Sequence, residues 1–215
     1  MADEGTREKY RRLLEILGGT GGVVVAFSGG VDSTLLLRAS RDALGDRVLA
    51  VTARSPSYPA DEIDGAARLA ASLGARHAFV DTREMADPSF VANGPDRCYH
   101  CKRGLFAALA ALGAGEGLPR VIDGSNADDP TDHRPGIGAA REAGVRSPLA
   151  EAGLGKGEIR ALARDLGLPN WDKPSLPCLA SRIPYGEEIS VRRLARIADA
   201  ASQAAPNRHA TASPS

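Results

Sequence analysis

"VVVAFSGGVDSTLLL", residues 23–37, decides how the rest of the chain reads. Val23, Val24 and Val25 lead through Ala26 into Phe27, an apolar run of strand length rich in β-branched residues. It breaks at Ser28-Gly29-Gly30, and past Val31-Asp32 the hydroxyls of Ser33 and Thr34 open a helix. The spacing predicts a strand over 22–27 and a helix from Ser33 to about Leu44. Consecutive glycines carry no Cβ and reach positive φ, so their amides can close on an anion. The helix behind them adds free N–H groups and the positive end of its dipole. Ser28, Gly29, Gly30, Asp32, Ser33 and Thr34 are therefore the candidate polyphosphate site. Asp32 is the odd member. A carboxylate beside a phosphate is repulsive unless a cation stands between them, so Asp32 points to Mg²⁺. No Gly-Lys-Ser/Thr follows at Walker A spacing, so the lysine of that motif is missing. The plain alternative is a tight strand-to-helix turn that needs glycine for packing.

Outward from this turn the pattern alternates. Strands are expected at 47–53, 76–82, from 120 into a polar loop, and briefly at 144–149. Helices are expected between Pro59 and Gly74, after the turn-rich "ADPSFVANGPDRCYHCK" around Leu105, Leu109 and Leu112, over 156–166 and over 188–201. The segment 170–186 has no period and reads as a structured loop. This is an α/β fold, a Rossmann-like parallel sheet of about five strands with helices on both faces. Ligands of such sheets bind outside the carboxyl ends of the strands. Ser125 and Asn126, in "DGSNADD", are candidate substrate contacts at that edge, although turn chemistry alone also explains them.

Lys and Arg number 27 against 27 Asp and Glu, so no basic field draws in nucleic acid or an acidic membrane surface. No apolar stretch is long enough to span a bilayer, and "MADEGTREKYRR" lacks the apolar segment of a secretory signal. The expected compartment is the cytoplasm, where thiols stay reduced. Cys98 and Cys101 form C-Y-H-C, and Cys178 lies far downstream in "PSLPCLASRIPYG". An odd count in a reducing compartment argues against a disulfide framework. Zinc with His100 or His133 as a further ligand, a redox pair, and three unrelated buried thiols all stay open. Three cysteines also suit a [4Fe–4S] cluster with one iron left open. Arg182 can clamp a phosphate or carboxylate, with Ser181 as a neighbouring donor.

Taken in order, "FSGGVDSTLLL", "RCYHCK", "DGSNADD", "RPG", "GVRSPL", "WDKPS" and "CLASRIPYG" resemble the LarE family of the PP-loop ATP pyrophosphatase (HUP-type) superfamily, over roughly residues 8–200. The resemblance implies ATP as the ligand of Ser28, Gly29, Gly30, Asp32, Ser33 and Thr34, and adenylation of a carboxylate on a pyridinium dicarboxylate mononucleotide with pyrophosphate released. Sulfur then displaces AMP to leave a thiocarboxylate in nickel-pincer cofactor synthesis. One branch of the family sacrifices the sulfur of the cysteine matching Cys178. The other has three cysteines and carries a [4Fe–4S] cluster, and Cys98, Cys101 and Cys178 make this chain similar to that branch. The family usually continues past the last motif into another small domain. The expected organisation is thus a PP-loop domain over 1–187, a helix over 188–202 opening a shortened subdomain, and a disordered tail over 203–215. The resemblance leaves a homo-oligomer open. The rival readings are tRNA thiolation, ammonia-using amide synthesis and a nucleotide-binding remnant.

Overall fold

Val23, Val24 and Val25 are fully buried in the computed structural model, because the strand they form has helices on both its faces. The structure describes residues 1–129 and 135–204. Strands β1 (Val23–Ala26), β2 (Val48–Arg54), β3 (Arg76–Asp81) and β4 (Arg120–Ile122) form one parallel sheet in the order β3-β2-β1-β4. The register sets Val23 opposite Val48 on one side and Arg120 on the other. The strand expected at 144–149 is reduced to a bridge between Ile122 and Arg146. Pro148 at the first position of a helical turn stops further pairing there.

The helices are α1 (Glu4–Gly18), α2 (Val31–Leu44), α3 (Ala60–Ser72), α4 (Pro88–Val91), α5 (Arg97–Gly115), α6 (Pro135–Glu142), α7 (Pro148–Glu151), α8 (Lys156–Asp165) and α9 (Val191–Ala204). Alternation along β1 sorts its side chains between two layers. Val23 and Val25 pack with Leu13, Leu35, Leu36, Ile159 and Leu162 from α1, α2 and α8. Val24 turns the other way, onto Phe106 and Leu109 of α5. Each such valine contributes about 1.5–3 kcal/mol of burial.

A third, smaller apolar cluster sits apart from the sheet. Phe90, Leu179, Ala180, Ile183, Ile189 and Leu194 meet there, with Cys101 and Cys178 packed against them. It joins α4 and α9 to the 3-10 turn Leu179–Arg182 inside the loop expected over 170–186. The C-Y-H-C segment starts helix α5 rather than preceding it. His133 and residues 205–215 of the expected tail lie outside the described residues.

Candidate active site

The glycine turn leaves β1 at the carboxyl edge of the sheet. Gly29 has φ 69°, the left-handed region, and a Cβ there would come within 3.1 Å of the Ala66 Cβ on α3. Both constraints exclude other residues. Gly30 is the extended N-cap of α2 (φ −77°, ψ 162°) and no side chain caps that helix. The first-turn amides are thus not met by a capping side chain and point at the edge where an anion would sit. The hydroxyls of Ser33 and Thr34 both donate to the Gly30 carbonyl, at 3.0 and 2.8 Å, and Ser28 Oγ lies 3.3 Å from Ser33 Oγ. They shape the loop from within.

Asp32 has a partner that the sequence did not reveal. Lys156, at the start of α8, places Nζ 2.7 and 2.6 Å from the two Asp32 oxygens, and Asn126 Nδ2 donates to Asp32 Oδ2 at 3.3 Å. An ammonium from 124 residues away therefore stands at the phosphate loop, where the Walker lysine was missed. It supplies the positive charge that electrostatics demands beside Asp32.

The loop after β4 closes against the same helix end. A Cβ on Gly124 would meet the Ser33 amide nitrogen at 3.1 Å, so the two segments touch backbone to backbone. Ser125 donates from its amide and hydroxyl to Asp123, and the Ser147 hydroxyl donates to Asp123 at 2.7 Å. Asn126 is buried and holds Asp32 while its Oδ1 accepts from the Asp128 amide. Turn chemistry accounts for most of these bonds. Asn126 acts on the nucleotide loop through Asp32.

The cysteine segment crosses this edge in three fixed steps. Asn170 Nδ2 donates to the Gly29 carbonyl and to Thr34 Oγ1, both at 3.0 Å. Lys173 Nζ pairs with Glu62 of α3 at 2.7 Å. The Leu179 amide then donates to the Ser57 carbonyl, just past β2, at 2.9 Å. Cys178 precedes that anchor. Its carbonyl accepts from the Ser181 amide and hydroxyl, and Arg182 stands exposed one residue further on. Arg97 locks the segment to α5. It is buried, and Nη1 donates to Asn93 Oδ1 at 2.5 Å and to the Ala180 carbonyl at 2.9 Å. Asn93 in turn donates to the carbonyls of Ile183, Pro184 and Glu187 from a left-handed backbone (φ 56°).

These anchors seat Cys178 against the same apolar cluster as Cys101. Burial pushes Cys101 up to about 12, helped by the negative charge of Glu84 and the neighbouring Cys178 and Cys98. Burial also raises Cys178, while the Ser181 amide and the Arg97 guanidinium pull it back. Burial holds the nearby Tyr58 hydroxyl protonated, with Cys101, Cys178 and Glu84 adding to the effect. All three cysteines are free and half-buried. Among the described residues, no three His, Cys, Asp or Glu side chains close on one ion position. A cluster does not require that, because each of its cysteines takes a different iron. Neutral thiols in an apolar wall lose their protons readily only to a metal centre, so donor set and setting fit a cluster. His100 is committed to Asp96 at 3.1 Å and lies 3.7 Å from Asp87. Trp171 is stacked by the Arg164 guanidinium at 5.8 Å, a packing role.

Sheet order, glycine turn and edge-on helix define a nucleotide-binding α/β domain of the PP-loop type. The sequence model of the NAD synthase family matches residues 13–94, the first half of that domain. NMN synthetase from Francisella tularensis shares the fold at a TM-score of 0.63 over 99% of both chains, with 19% identity. A protein of Synechocystis sp., slr1717, is 48% identical over 88% of this chain and 70% of its own. Pyridinium-3,5-bisthiocarboxylic acid mononucleotide synthase of Lactiplantibacillus plantarum is 41% identical over 81% of this chain and 64% of its own. The chain belongs to the LarE family of PP-loop proteins. It spans about two thirds of the length of these two curated relatives.

Proposed function

We propose that the protein is an ATP-dependent sulfurtransferase that adenylates a carboxylate of a pyridinium dicarboxylate mononucleotide and then replaces AMP with sulfur. The observation that carries this reading is the strap from Asn170 to Leu179, which ties Cys178 to the phosphate loop at one end and to the exit of β2 at the other. Carboxylate oxygen is a poor leaving group, and adenylation makes it a good one before sulfur attacks. The α2 amides and Lys156 orient the polyphosphate, and Mg²⁺ accompanies it with Asp32 as the protein carboxylate. Arg182 and Ser181 receive the phosphate or free carboxylate of the substrate, with Ser125 and Asn126 flanking the nucleotide.

Cys98, Cys101 and Cys178 would hold a [4Fe–4S] cluster, which supplies sulfide at an iron without a protein ligand. The alternative is sacrifice of Cys178 itself, whose thiol is raised by burial and only partly brought back by the Ser181 amide and the Arg97 guanidinium. Anaerobic purification followed by iron and acid-labile sulfide analysis separates them. Iron in proportion to protein supports the cluster. An iron-free protein that loses the mass of one H₂S from Cys178 on turnover establishes the sacrificial route.

A further inference from the structure

Six buried polar side-chain atoms lack a hydrogen-bond partner among the described residues, and three belong to residues around one cavity. They are Thr82 Oγ1, Glu84 Oε2 and His100 Nδ1. The cavity, about 280 Å³, lies between the exit of β3 and the first half of α5, and Cys101 forms part of its wall. It is at the β3 edge, two strands across from the phosphate loop on β1.

Glu84 is 6% exposed, and only its other oxygen is satisfied, by the Ser55 hydroxyl. A buried carboxylate oxygen without a donor is costly, and a cation or a charged N–H donor is what relieves it. The neighbouring acids are already engaged. Asp81 is held by Arg54 at 2.9 Å, and Asp87 accepts from the Ser89 amide and faces Arg103 and His100. Arg83, in the same wall, is exposed and makes no ion pair among the described residues. The uncommitted charges are thus one buried acid and one exposed guanidinium, in a wall that also includes Leu105 and Ala108.

We propose that this cavity binds a small α-amino acid thiol of the cysteine type. Its ammonium meets Glu84, its carboxylate meets Arg83, and its sulfur lies along Cys101. The choice of a thiol rests on the sulfur-transfer reading above; the zwitterion site rests on Glu84 and Arg83 alone.

Isothermal titration of the full chain with L-cysteine under anaerobic, reducing conditions tests it, with L-serine and L-alanine as comparators. L-cysteine binds saturably and more tightly than either comparator. Glu84→Gln, which keeps the bond to Ser55, weakens it about tenfold. Arg83→Ala weakens it less, about threefold, as expected at an exposed rim. Both variants bind ATP within about twofold of the parent. Absence of saturable L-cysteine binding, or an unaffected Glu84→Gln, overturns the site. Equal binding of L-serine overturns the thiol assignment. If Glu84→Gln also loses ATP binding, its fold has failed, and Arg83→Ala then decides alone, unchanged affinity overturning the site. A chain that binds L-cysteine yet makes no thiocarboxylate keeps this cavity and loses the sulfur-transfer reading.

Discussion

The phosphate loop and the cysteine segment share one edge of the sheet and are built on opposite principles. At the loop, recognition comes from backbone and fixed charge. Gly29 and Gly30 clear space, the end of α2 presents amides, and Lys156 balances Asp32. At the cysteines, recognition comes from exclusion of water. Cys101 and Cys178 lean on Phe90, Leu179 and Ile183, and burial keeps their protons in place. An anion site can be preformed in the empty protein. A thiol site of this kind is inert until something draws off its protons. The two regions should therefore fail separately.

The strongest test of that separation is Cys178→Ser. Thiocarboxylate formation falls by at least about 10³-fold, while pyrophosphate release stays within a few-fold of the parent. Parallel loss of both would merge the two regions into one. Lys156→Ala acts on the other side. It leaves the Asp32 carboxylate without its cation beside the polyphosphate, and kcat/KM for pyrophosphate release drops by about 10². Alkylation rates at the cysteines stay unchanged in that variant, and a change there would break the distinction.

A smaller effect is expected where the cysteine segment is fastened. Arg97→Ala removes a buried guanidinium and strands Asn93 Oδ1 and the Ala180 carbonyl, costing about 2 kcal/mol in denaturant unfolding. ATP affinity should not follow. The smallest effect is on pH dependence. Cys101 is raised from 9.0 to about 12 in the folded chain, so above pH 9 the unfolded state gives up a proton that the folded state retains. Stability is then full below about pH 9 and declines as pH rises toward about 12. Thermal melts of Cys101→Ser should show a shallower decline over that window, and an identical slope would mean the thiol is not held protonated.

How much of this could be read from the residues differs between the regions. The strand, glycine turn and helix of residues 23–44 form a local pattern, since a valine run, a glycine pair and apolar helical spacing each act within a few residues. Lys156 could not be found that way. Its role comes from α8 packing on α2, and lysine at a helix start carries no local signal of an acid elsewhere. Asn93 and Arg97 were hidden for the same reason: "ANGPDR" reads as a turn, and only the folded chain shows it gripping residues 180–187. The strand expected at 144–149 failed because Pro148 ends it after one bridged residue. C-Y-H-C was expected before α5 and lies within its first turns, since the Gly94-Pro95 break stands just ahead of the helix start at Arg97. Ser125 and Asn126 were equally readable as turn or contact residues, and their bonds to Asp123, Asp128 and Asp32 give the turn the larger share.

One measurement reaches the central claim directly: the yield of pyrophosphate and of thiocarboxylate from ATP and the pyridinium dicarboxylate mononucleotide, compared between the parent and a Cys98→Ser, Cys101→Ser, Cys178→Ser variant. Matched yields are expected in the parent, and pyrophosphate without thiocarboxylate in the variant. An amide formed from added ammonia at the same rate in both proteins would contradict it.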